Sequence, residues 1–240
     1  MTIRERMSDL AKSYLGCGFA SEKDRYLDLV MPTPPETEPM RTGMGHASGC
    51  ALTVRGFWRI LGLKHELLSK PYRIGMAVAD VITIAKERGA WVPCPSVSDS
   101  NPIVMPGVGD TVYIGGADGT YEHVFTVTGT NGLMVYLIEG GRVDAHGAQI
   151  ILGAQVSWRP ASGHWHHGTR RVNGWVDITK LGIPENVEPV KTIPSPPPEP
   201  DPEADPPATM PSAAIVPHIP GYAAGIGALI LAIAQVLPHC

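Results

Sequence analysis

Cysteine, histidine and an acid, the residue types of thiol-based acyl transfer, occur along this 240-residue chain in an order and setting that suit the chemistry. Cys50 follows Ser48-Gly49 and heads the apolar run Cys50-Ala51-Leu52-Thr53-Val54-Arg55-Gly56-Phe57-Trp58-Arg59-Ile60-Leu61. A thiol at the start of a helix lies where free backbone N–H groups and the helix dipole favour an anion. The same N–H groups can hold the oxyanion that forms when a carbonyl is attacked. His123 begins a β-rich stretch, Glu122–Val127, just after PGVGDTVYIGG. At a strand end it is accessible enough to act as a general base. The next β-rich stretch runs into Glu139-Gly140-Gly141. If it pairs with the His123 strand, the Glu139 carboxylate can orient the imidazole. Asp144, in GGRVDAHG, is the alternative acid. The plainer readings are a buried apolar cysteine at a helix start and a surface histidine, one of nine.

The elements that must position these residues fall into two textures. Apolar residues at helical spacing predict a helix over 4–15, ended by Gly16 and Gly18. Residues 31–45 hold four prolines and read as an irregular loop. The Cys50 helix, 50–61, is closed by Gly62, and a third helix is predicted over 74–88 with Gly89 as its stop. Past Pro106 the pattern becomes short strands, predicted at 111–114, 123–128, 133–139, 149–158 and 171–178. Gly115-Gly116, Asn131-Gly132 and Gly140-Gly141 separate the first four. Helices first and an antiparallel meander after make an α+β class, not alternating βα units.

The segments SGCALTVRGFWRILGL, PGVGDTVYIGG, EHVFTVTG and YLIEGG, with the leading RMSDLAKSYLGCG, together resemble the CHAP and NlpC-type papain-like cysteine peptidases and amidases. The resemblance covers residues 1 to about 178, loosely over 20–47 and 144–178. It departs at the nucleophile, where Gly49-Cys50-Ala51 replaces the usual Asp-Cys-Ser or Gln-Cys entry. The resemblance implies a papain-like fold, with N-terminal helices packed on an antiparallel meander. It also implies a peptidoglycan amide hydrolase with Cys50 as nucleophile, His123 as base and Glu139 as the third member; with no CxxC or HExxH in the chain, no metal or cofactor is expected. A phage lysis or virion-associated protein fits that picture. The alternative is a papain-like scaffold without turnover, binding while tethered to a membrane or virion.

Composition narrows the classes. Hydrophobic residues are 43% and charged residues 18%, enough apolar material for a core. Residues 1–183 carry 18 basic and 17 acidic groups, so a basic nucleic-acid footprint is excluded and no nucleic acid is expected as a partner. Cys17, Cys50, Cys94 and Cys240 form neither a CxxC nor a disulfide framework. Cys17 sits in Gly-Cys-Gly at a helix end and Cys94 between two prolines, so neither has a helix start to serve it. Asp110 in the PGVGD turn reads as a turn-former. His164, His166 and His167 around Trp165 read as a polar loop, and Trp158, Trp165 and Trp175 as buried strand aromatics.

No signal-peptide pattern opens the chain, so synthesis in a host cytoplasm and action at membrane and cell wall is the expectation. A catalytic domain is expected over 1–183. Residues 184–212 are read as a proline-rich acidic linker, since 13 of the 37 residues in 184–220 are proline. Residues 213–240 are read as an apolar tail that contacts or spans a membrane, on the run GYAAGIGALILAIAQVL.

Overall fold

The computed structural model describes residues 1–31, 49–69, 77–97, 104–115 and 122–185, all within the unit formed by residues 1–196. Among the described residues there are five helices: α1 (Ile3–Ser13), α2 (Lys23–Val30), α3 (Cys50–Ile60), the single turn α4 (Glu66–Ser69) and α5 (Ala77–Glu87). The described residues also form seven strands: β1 (Trp91–Pro93), β2 (Thr111–Gly115), β3 (His123–Asn131), β4 (Met134–Val143), β5 (Gln149–Ala161), β6 (His164–His167) and β7 (Arg170–Val176). The predicted linker beyond residue 185 and the apolar tail over 213–240 lie outside the described residues. Among the described residues no helix is long and apolar enough to cross a membrane.

The strands do not form the open, helix-covered meander that the papain-like α+β expectation required. They pair in the order β1-β7-β2-β3-β4-β5-β6, and β6 pairs again with β7, so β2 to β7 close into a six-stranded antiparallel barrel. That closure overturns the predicted fold class. Its physical basis lies in β5 and β6. β5 is 13 residues long, so its stretch from Gln149 to Ser157 pairs with β4 and its last four residues, Trp158 to Ala161, pair with β6. Ser162 (φ 51°) and Gly163 (φ 73°) then reverse the chain. Two successive residues with positive φ match the right-handed strand twist in a tight hairpin. β6 therefore returns beside β5 and bonds to β7 through His166 opposite Arg171 and His167 opposite Arg170. The His164–His167 segment, expected to be a polar loop, is this closing strand.

Alternation along the strands divides the apolar residues into two cores. Phe125, Val127, Val135, Leu137, Trp158, Trp165, Val172 and Trp175 point inward and fill the barrel. Val124, Ile138, Ile151 and Val176 point outward, into the core shared with the helices. All of Cys50–Trp58 in α3 is buried, because the helix lies between the barrel wall and the other helices. Gly56 permits its close crossing with α2, since a Cβ there would lie 2.2 Å from the Leu29 carbonyl oxygen. Arg55 Nη1 pairs with Asp80 Oδ2 of α5 at 2.9 Å. Across the molecule, buried Asp110 accepts from Arg4 Nη1 (2.7 Å) and from the backbone N–H groups of Gly107 (2.8 Å) and Ile178 (3.1 Å). Asp110 thus forms its turn, as expected, and also fastens α1 and the chain after β7 to it.

Candidate active site

α3 begins at Cys50 with Gly49 as its N-cap residue, and no side chain caps the helix end. The N–H groups of the first turn are therefore not consumed by a cap. Gly49 N–H donates to Oε1 of the buried Gln149 at 3.3 Å, which ties the helix start to β5. The Glu139-Gly140-Gly141 run of β4 lies directly against it. A Cβ at Gly140 would sit 2.1 Å from Thr53 Oγ1 and 2.9 Å from the Gly49 carbonyl oxygen. Gly141 adopts φ 80°, and a Cβ there would sit 3.0 Å from the Cys50 nitrogen. The paired glycines thus have a steric purpose: only without side chains can β4 approach the head of α3 this closely.

That approach brings the three predicted residues together. His123 opens β3 and, with Phe125 and Val127, has the inward orientation of its strand. Glu139 has the inward orientation of β4, following Val135 and Leu137. His123 Nε2 meets Glu139 Oε2 at 2.5 Å, with both side chains largely buried. Cys50 hydrogen-bonds with His123 as well. Glu139 occupies Nε2, so Nδ1 is the nitrogen left for the thiol.

The electrostatics follow from these contacts. Burial acts to lower the His123 pKa, but its bonds to Cys50 and Glu139 and the attraction of both groups outweigh it, and the imidazole is raised to about 9. Burial acts to raise the Glu139 pKa. Its bond to His123, with the positive charge nearby, more than reverses this and holds the carboxyl below its ordinary value. Charge on the imidazole in turn favours charge on the sulfur beside it. The imidazole is thus held between the Cys50 thiol and the Glu139 carboxylate, with its charged form favoured.

Asp144, the alternative acid, is engaged elsewhere. Its Oδ1 accepts from His146 N–H (2.8 Å) and Ala148 N–H (2.9 Å) in the turn between β4 and β5. The other described cysteines lack such a setting. Burial, assisted by the Glu22 charge, pushes the Cys17 thiol up to about 12. Burial pushes Cys94 up to about 11. Trp158, Trp165 and Trp175 are buried inside the barrel. Among the described residues, no group of three or more His, Cys, Asp or Glu is placed to hold a metal ion.

Sequence reasoning missed Gln149 as the anchor of the helix start, and no signal in a single sequence marks it. It also missed His167 as a neighbour of the site. The Ser162-Gly163 turn and the alternation through Trp165 would have placed His167 on the inner face of a strand. The chain matches no protein-family model, no curated protein and no solved structure.

Proposed function

We propose that this protein is a thiol-dependent amide hydrolase whose substrate is peptidoglycan. The observation that carries the hydrolase reading is the joint placement of Cys50, His123 and Glu139, with the sulfur at a helix start and the imidazole between thiol and carboxylate. The substrate class rests on the resemblance of the SGCALTVRGFWRILGL, PGVGDTVYIGG, EHVFTVTG and YLIEGG segments to cell-wall peptidases and amidases. It implies a role in cell-wall lysis.

In this mechanism Cys50 Sγ, as thiolate, bonds to the carbonyl carbon of the scissile amide, and the carbonyl electron pair moves onto oxygen. N–H groups of the first turn of α3 stabilise that oxyanion. The C–N bond breaks as the His123 imidazolium gives its proton to the departing amine. Water then attacks the thioester while neutral His123 takes its proton. The C–S bond breaks, the acid leaves, and thiolate and imidazolium are restored. Glu139 keeps the ring oriented and stabilises its charge throughout.

The test uses the full-length chain on purified peptidoglycan, following new amino groups and the masses of released peptides. Wild type releases product, whereas Cys50→Ala and His123→Ala, at unchanged melting temperature, do not. An inert wild type on several wall chemotypes overturns the substrate. If Cys50 in addition alkylates no faster than Cys17, the hydrolase falls too, and a binding role takes its place.

A further inference from the structure

The inner face of the barrel does more than carry the imidazole and its carboxylate. At the end where His123 and Glu139 lie, it opens into a cavity of about 330 Å³, at the small end of the range for small-ligand sites. Ile114, Leu137 and Val156 give it an apolar lining. Its polar groups are unbalanced in sign. Arg142 and Arg170 both line it, and its one carboxylate, Glu139, is already engaged by His123. Arg142 leaves 60% of its side chain exposed, and its Nε lies 3.4 Å from Glu139 Oε1. Arg170 forms no ion pair among the described residues.

The third polar feature is His167, whose ring lies tilted by 33° against Phe125 with centroids 4.9 Å apart. Its Nδ1 is buried without a hydrogen-bond partner. Burial, with the charges of His123 and Arg170, holds His167 down to about 4 despite nearby Glu139, so the ring is neutral at pH 7. A neutral imidazole carries one N–H and one bare nitrogen, and a buried ring nitrogen without a protein partner suits a bound one.

Resting on the hydrolase reading above, we propose that this cavity is the specificity subsite, and that it takes an acidic residue of the substrate, next to the scissile amide, through Arg142 and Arg170. Each guanidinium group offers a fork of N–H donors that matches a carboxylate. The apolar lining takes the methylenes between that carboxylate and the backbone. His167 contributes a ring nitrogen to the bound group. A neutral amide in place of the carboxylate would leave both guanidinium groups unanswered, which is the basis of discrimination.

The test measures binding and needs no turnover. N-acetylglutamic acid α-amide has one free carboxylate and N-acetylglutamine α-amide has none. Both are titrated into the wild-type full-length chain and followed by NMR. The carboxylate ligand is expected to bind at least tenfold tighter. Arg170→Gln and Arg142→Gln should each reduce that ratio at least threefold, and Lys12→Gln on the exposed side of α1 should leave it unchanged. Equal affinity for the two ligands, or a ratio untouched by both arginine substitutions, overturns the subsite. Amide cleavage is scored separately, so a protein that discriminates the ligands but cleaves nothing loses the hydrolase and keeps the pocket. One that cleaves but does not discriminate loses only the pocket.

Discussion

Cys17 and Cys50 each follow a glycine and are almost sealed from solvent, at 0% and 5% exposure, yet the regions around them have opposite chemistry. Cys17 lies past the C-terminal end of α1. There the helix end presents carbonyls, and burial, with the Glu22 charge added, holds the thiol protonated. Cys50 heads α3, where the loose groups are N–H donors, and its side chain meets His123. Burial alone therefore does not make a reactive thiol. The end of the helix and the partner decide it. The two inward-facing histidines repeat the lesson: His123, between sulfur and carboxylate, is raised to about 9, while His167, buried against Phe125, falls to about 4.

The sharpest way to break the comparison is to exchange the thiols for methyl groups one at a time. Cys50→Ala should reduce amide hydrolysis by roughly 10³-fold or more, whereas Cys17→Ala should leave kcat within about threefold. Equal losses would dissolve the distinction. Next in size is removal of the ring. His123→Ala should match the loss of Cys50→Ala, because members of one catalytic unit are not additive. Glu139→Gln should cost about 10²-fold in kcat with little change in KM, since it retains the shape but not the charge that steadies the imidazolium.

Smaller, and read as stability, is the glycine contact that brings the strand to the helix. Gly141→Ala places a side chain at φ 80° and 3.0 Å from the Cys50 nitrogen. An L-residue in that region costs about 1–2 kcal/mol, so the melting temperature should drop by roughly 2–8 °C. Because it presses on the head of α3, Gly141→Ala should also lower hydrolysis, whereas Gly147→Ala, also at positive φ but with nothing within 4 Å, should show a comparable thermal loss at unchanged activity. The last effect is the pH dependence. The folded pKa of His123 lies above its unfolded value of 6.5. Its contribution to stability is therefore complete below about pH 6.5 and lost as the pH rises through about 9. The melting-temperature difference between wild type and His123→Gln should shrink over that interval. Hydrolysis should decline over the upper part of it, as the proton for the leaving amine disappears.

Much of this site was legible because its signals are local. An Ser-Gly pair before an apolar run marks a helix start, so Cys50 stood out. His123 and Glu139 stood out at strand ends. The choice between Glu139 and Asp144 was not legible. Pairing of β4 with β5 shifts register between Glu139 and Arg142, and such a bulge ends the simple alternation from which facing is read. Barrel closure was hidden for a similar reason. β6 is four residues long, three of them histidine, and what makes it a strand is its pairing with two distant neighbours. α2 was missed because Glu22 makes no side-chain cap, so the helix has no start signal. The arginines of the cavity come from β4 and β7, and only closure brings them to one mouth.

The most direct test of the central claim is the rate of iodoacetamide alkylation, resolved by mass at Cys50 and Cys17, from pH 5 to 10 in wild type and His123→Ala. Cys50 is expected to react well below pH 7, far ahead of Cys17, and to lose this early reactivity without the imidazole. If Cys50 stays silent until the pH range of an ordinary thiol, or reacts equally fast in His123→Ala, the thiolate–imidazolium pair does not exist and the hydrolase built on it is wrong.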